Sequence, residues 1–194
     1  VNSAFFHSSK AVVSVIFLAC AAIVTPLQAD LEMGTEDREI QLKVAKSKRT
    51  KVAGGDYDDK LERISLNIRI KNRSLRDAKE GLTARYWIIG ESMVHRSALE
   101  VLDSGEMKVD LGSEFGKREF KKETNETVVQ WDDTNLVHGA KYDGWIFVLL
   151  DADGKVIKSD ASKNTFRKLI PKADFLKKGN FYDSNFDIMS VPKD

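Results

Sequence analysis

Between Leu61 and Lys71 the chain alternates strictly. Ile64, Leu66, Ile68 and Ile70 fall on one side, and Arg63, Ser65, Asn67, Arg69 and Lys71 on the other. A period of two predicts a strand with one face in the core and one in water. Ile40, Leu42 and Val44 alternate with Gln41, Lys43 and Ala45 in the same way. Two other stretches break the alternation. From Trp145 to Leu150 every residue is apolar, with Trp145, Phe147 and Leu149 on one side and Ile146, Val148 and Leu150 on the other. The second half of the segment from Gly81 to Gly90 behaves likewise, through Tyr86, Trp87, Ile88 and Ile89. Strands apolar on both sides predict a sheet whose two faces are both covered.

The other elements follow from turns and charge. Asp151-Ala-Asp-Gly154 predicts a hairpin turn between the Trp145 strand and a return strand at Lys155-Val-Ile157. Glu91 to Glu114 reads as two strands around Asp103-Ser-Gly105, with a short helix near Ser97 to Leu102 as the alternative. Arg118 to Lys122 and Thr127 to Trp131 read as short strands. Asp30 to Arg38 is polar and acidic, a loose lead-in, and Lys46 to Asp59 an exposed connection. After Ser159 the period changes. Phe166, Leu169 and Ile170 share a helical face over Asn164 to Ile170, Pro171 stops it, and Asp160 or Ser162 is the expected cap. The tail carries Phe175, Leu176, Phe181, Tyr182, Phe186, Ile188 and Met189. That is too apolar to float free, so it is expected to pack over the double-sided strands. The first 29 residues hold one charge, Lys10, then an apolar run from Ala11 to Val24 and a small-residue exit at Leu27-Gln-Ala29. These are the parts of a secretory signal peptide cleaved after Ala29. The expected organisation is therefore a leader over residues 1–29 and one domain over 30–194, with its sandwich at 39–162 and a helical cover at 163–194. An uncleaved anchor, or lipidation at Cys20, is the alternative.

Cys20 is the only cysteine, so the remainder of the chain has no disulfide, thiol nucleophile or cysteine metal site. The 31 basic and 30 acidic residues nearly balance, which argues against nucleic-acid binding. Lys43, Lys46, Lys48, Arg49 and Lys51 form a local basic run. It reads as an edge strand blunted by charge or as a strand that meets an anionic surface. Trp87, Trp131 and Trp145 are candidates for stacking on sugar rings, against the plainer expectation of core tryptophans. His95 or His138 with Asp132 or Asp133 could serve a hydrolase, but no Gly-x-Ser-x-Gly elbow supports one. Asp151 and Asp153 match the opening of a calcium loop, but Lys155, Ile157 and Lys158 occupy the space for later ligands. No catalytic set, metal site or cofactor is expected. Asn72 and Asn125 head glycosylation sequons.

With the Tyr142-Asp-Gly-Trp145 and Asp153-Gly-Lys-Val-Ile157 hairpin in view, the chain over Glu39 to Ser162 resembles uncharacterised exported bacterial proteins with an immunoglobulin-like β-sandwich. The resemblance implies an all-β, antiparallel sandwich of about seven to nine strands with a short helical C-terminal segment. It carries no functional residues, because fold does not fix function. The expected role is an exported, non-catalytic binding or structural module of the cell envelope. Its partner would be an envelope protein or a polysaccharide. A homodimer through the double-sided strands is expected if the tail leaves them open.

Overall fold

A computed structural model describes residues 30–52, 60–95, 97–114, 116–132 and 137–190. The leader, Cys20, the Asp56-Asp58-Asp59 loop and Asp133 lie outside these residues. Nine strands form an almost wholly antiparallel sandwich: β1 (Ile40–Val52), β2 (Lys60–Asn72), β3 (Lys79–Ser92), β4 (Leu99–Leu111), β5 (Glu119–Glu123), β6 (Thr127–Asp132), β7 (His138–Leu150), β8 (Val156–Ala161) and β9 (Phe181–Tyr182). A short helix α1 (Asn164–Lys168) and a 3-10 helix (Ile170–Phe175) stand before β9.

The smaller sheet is centred on β2. β1 pairs along its whole length, while β5 and β6 share its other edge. Thr124 fills the gap between them: its amide donates to the Leu66 carbonyl, and its hydroxyl accepts from the Leu66 amide, both at 3.0 Å. The larger sheet runs β8, β7, β3, β4, β9. β7 belongs to both. His138 and Gly139 pair with β6, and Ala140 to Leu150 pair with β3. Gly139 sits at the crossover with φ +74°, and a Cβ there would lie 1.9 Å from the Gln130 carbonyl oxygen. Only glycine meets both conditions.

The alternating residues of β2 close the space between the sheets. Ile64, Leu66, Ile68 and Ile70 meet Leu82, Ala84 and Ile88 of β3 and Trp145, Phe147 and Leu149 of β7. A second apolar layer lies on the far side of the larger sheet. There Trp87, Ile89, Ile146 and Val148 are covered by Phe166, Ile170, Ala173, Leu176, Tyr182 and Phe186. Burying a large apolar side chain of this kind contributes about 1.5–3 kcal/mol. Charge fixes the cover in place. Arg85 Nη1 donates to both oxygens of Asp174 at 2.9 and 3.1 Å, and its Nε to Glu106 at 2.7 Å. The condition for a homodimer through this face, an uncovered surface, is not met among the described residues.

Several boundaries differ from the sequence expectation. β4 is one strand, not two around Asp103-Ser-Gly105, and no helix stands at 97–102. Gly105 lies opposite Tyr86, and a Cβ there would come 2.7 Å from the ring. The glycine makes room for a side chain rather than a turn. β1 runs on through Lys46 to Val52, because β2 pairs with it to the end. Neither Asp160 nor Ser162 caps α1. Ser162 Oγ instead accepts from the Trp145 amide at 2.9 Å, and Asp160 pairs with Arg167. Pro171 sits in the first turn of the 3-10 helix, where its missing N–H costs nothing. The lead-in is not loose. Val156 donates to the Glu32 carbonyl and Gly34 to that of Val156, so this segment runs beside β8. Leu31 is buried in the second layer, and its amide donates to the Pro171 carbonyl at 2.7 Å.

Candidate anion-binding face

Register decides where the basic residues point. Along β1, Ile40, Leu42 and Val44 face the core, so Lys46 and Lys48 follow them inward. Lys48 forms an ion pair with Glu62, which is 2% exposed, and the Tyr142 amide donates to the same carboxylate at 3.3 Å. Lys46 lies 4.7 Å from the centre of the Tyr142 ring. Burial, opposed by a hydrogen bond with Ser162, pushes the Tyr142 phenol up to about 12. These two lysines are structural partners of an interior carboxylate and ring. Inward-pointing charge near a free edge also discourages pairing with another chain.

Lys43 and Arg49 point the other way, onto the open face of the smaller sheet. Lys43 lies directly across from Arg69, and Arg69 across from Lys121, which puts three cations in one row over β1, β2 and β5. Neighbours in such a row stand about 5 Å apart at Cα. Arg49 and Arg63 form a second like-charged pair further along. Between the rows lie Ala45 with Asn67 and Ser47 with Ser65, and Glu123 of β5 stands across from Asn67 at the side of this lane. Beside the first row is a groove of about 370 Å³ lined by Lys43, Ala45, Asn67, Arg69, Lys121 and Glu123.

Two carboxylates meet these cations and a third lies beside them. Glu119 lies 2.9 Å from Lys121 and 3.3 Å from Arg69, Glu126 lies 2.7 Å from Arg63, and Glu123 accepts from Ser65 Oγ at 2.6 Å. The hydrogen bond from Lys121, with the charges of Lys121, Arg69 and Lys71, holds the Glu119 carboxyl below the usual carboxylate range. A carboxylate is thus favoured at this position.

The other predicted residues are scattered. Trp87 (5% exposed) lies under the tail and Trp145 (6%) between the sheets. Trp131 (4%) carries Lys60 and Lys141 at 4.7 and 5.0 Å from its ring. None of the three presents an open ring face, and they share no surface. Asp132 and His138 stand opposite one another across β6 and β7. His95 packs edge-on against Phe181 at 4.9 Å. Asp151 Oδ1 accepts from the amides of Asp153 and Lys155, so the suspected calcium loop satisfies itself as a turn. No group of three or more metal-ligating side chains occurs among the described residues. Sequence reading missed Arg69 and Lys121 as members of the basic row. Strict alternation put Arg69 on the polar face, but only pairing could set it beside Lys43.

No family model and no curated protein matches the chain. Several solved structures are similar to it. A Northeast Structural Genomics Consortium target shares 15% identity over 64% of this chain and 86% of its own, with a TM-score of 0.35. A protein from Akkermansia muciniphila shares 15% over 67% and 75%, at 0.32. An endonuclease/exonuclease/phosphatase from Beutenbergia cavernae shares 20% over 60% of this chain and 26% of its own, at 0.22. Function has to be read from the chain's own residues.

Proposed function

We propose that this is an exported, non-catalytic binding module whose contact surface is the open face of β1, β2, β5 and β6. The observation that carries the proposal is the Lys43–Arg69–Lys121 row. Like charges placed directly opposite each other destabilise a sheet, on a scale of about 0.2–1 kcal/mol per pair. Glu119 offsets part of that cost at Arg69 and Lys121, and a ligand that neutralises Lys43 as well adds charge-assisted hydrogen bonds. The larger sheet offers no comparable surface, because its outer side is filled by the tail. Export is supported by the composition of the first 29 residues and by the seating of the chain from Leu31 onward.

The test is retention on the source cell's envelope fraction at two salt concentrations. The wild type is compared with Lys43→Glu/Arg69→Glu/Lys121→Glu. Retention of the wild type that weakens with salt, and falls at least tenfold in the variant, is expected. Equal retention of the two proteins overturns the proposal.

A further inference from the structure

We propose, resting on that contact surface, that its ligand is a linear polysaccharide bearing carboxylates, lying along β1 and β2 from the first cationic row to the second. Lys43 and Arg49 are six residues apart, so the rows are separated by about 20 Å at a strand's rise per residue. A chain with repeated negative charges reaches both rows, and a single sugar reaches one. The lane between them suits a hydroxyl-rich polymer. Asn67 and Ser47 offer amide and hydroxyl groups, and Ala45 leaves room for a ring, while the buried Ser65 hydroxyl is taken up by Glu123. The groove beside Lys43 and Arg69 offers about 370 Å³ to one ring of such a polymer.

Glu119 indicates the kind of anion. Its carboxylate already bridges Arg69 and Lys121 from the neighbouring row, at 3.3 and 2.9 Å. The guanidinium and ammonium are therefore held at a spacing that one carboxylate can span. Planar guanidinium groups recognise carboxylates through paired hydrogen bonds, and Arg69 keeps most of its donors free of other protein groups by standing in solvent. A sugar acid placed over Lys43 and Arg69 would repeat on the first row what Glu119 does beside it.

The probe is polygalacturonate. Galacturonic acid monomer, neutral dextran, polyphosphate, and phosphatidylglycerol/phosphatidylcholine vesicles serve as comparisons. Binding of polygalacturonate about a hundredfold tighter than the monomer is expected from two-row attachment. Dextran should not bind. Lys43→Gln/Arg69→Gln and Arg49→Gln/Arg63→Gln should each lower polymer affinity at least tenfold while thermal unfolding stays unchanged. Unaltered binding of polygalacturonate by both double variants overturns the inference. So does a wild type that binds the monomer as tightly as the polymer. Binding of polyphosphate or vesicles through Lys43 and Arg69, without polygalacturonate, overturns the polysaccharide and leaves the contact surface standing. If no probe binds and the charge-reversed variant is retained on envelope fraction like the wild type, both fall.

Discussion

The two sheets of this sandwich are built from similar strands and treat their outer faces in opposite ways. β3 and β7 carry apolar residues on both sides, and the chain spends its last described residues covering the second side. β1 and β2 carry apolar residues on one side, and their outer face stays open with cations in register. Covering a face makes it part of the stability of the protein. Leaving one open frees its residues for other work, because an exposed substitution away from special features changes stability by only about 0.5 kcal/mol.

That difference can be broken from the covered side first. Ending the chain after Lys163 removes Phe166, Ile170, Leu176 and Phe186 from over Trp87, Ile89, Ile146 and Val148. Aggregation, or a compact state that binds hydrophobic dye, is expected on size-exclusion chromatography and fluorescence. A soluble, dye-silent monomer would mean that the cover is dispensable. Phe166→Ala is the milder form, and denaturant unfolding should show a loss of about 3–5 kcal/mol.

The inner lysines come next. Lys48→Ala leaves Glu62 buried with only the Tyr142 amide, and a loss of about 1–3 kcal/mol is expected. Adding Glu62→Gln should recover part of it. A smaller effect appears at high pH. Burial, then the nearby Asp103 carboxylate, pushes the Tyr86 phenol up to about 12, and burial does the same for Tyr142. A phenol whose pKa is raised by folding contributes its share in full below the ordinary value near 10, and loses it as the pH climbs through about 12. Tyr86→Phe should flatten that alkaline decline in thermal melts. The smallest effect belongs to the open face. Lys121→Gln should leave melting almost unchanged, since it relieves the like-charge pair with Arg69 and gives up an exposed ion pair with Glu119. A large loss there would make the row structural and remove the contrast.

Much of this contrast was legible in the residues. The strict alternation of Ile64 to Ile70 set the half-open sheet, and the solid apolar runs at Trp87 and Trp145 set the covered one. The excess of aromatics after Phe166 pointed to the cover. The candidate site was half legible. The basic run at Lys43 to Arg49 stood out, but register sends Lys46 and Lys48 inward to Tyr142 and Glu62, and brings in Arg69 and Lys121 from other strands. Pairing between distant segments is not written in local periodicity. The seating of residues 31–37 was illegible for a different reason. It rests largely on backbone hydrogen bonds to β8 and Pro171, which polar side chains neither require nor announce.

That seating joins one end of the described chain to the other. Leu31 cannot settle until Pro171 is present to receive its amide. A ribosome delivers residue 31 well before residue 171. Contacts so far apart in sequence slow the closure of the fold. A clasp that only the later segment can fasten therefore works as a delay.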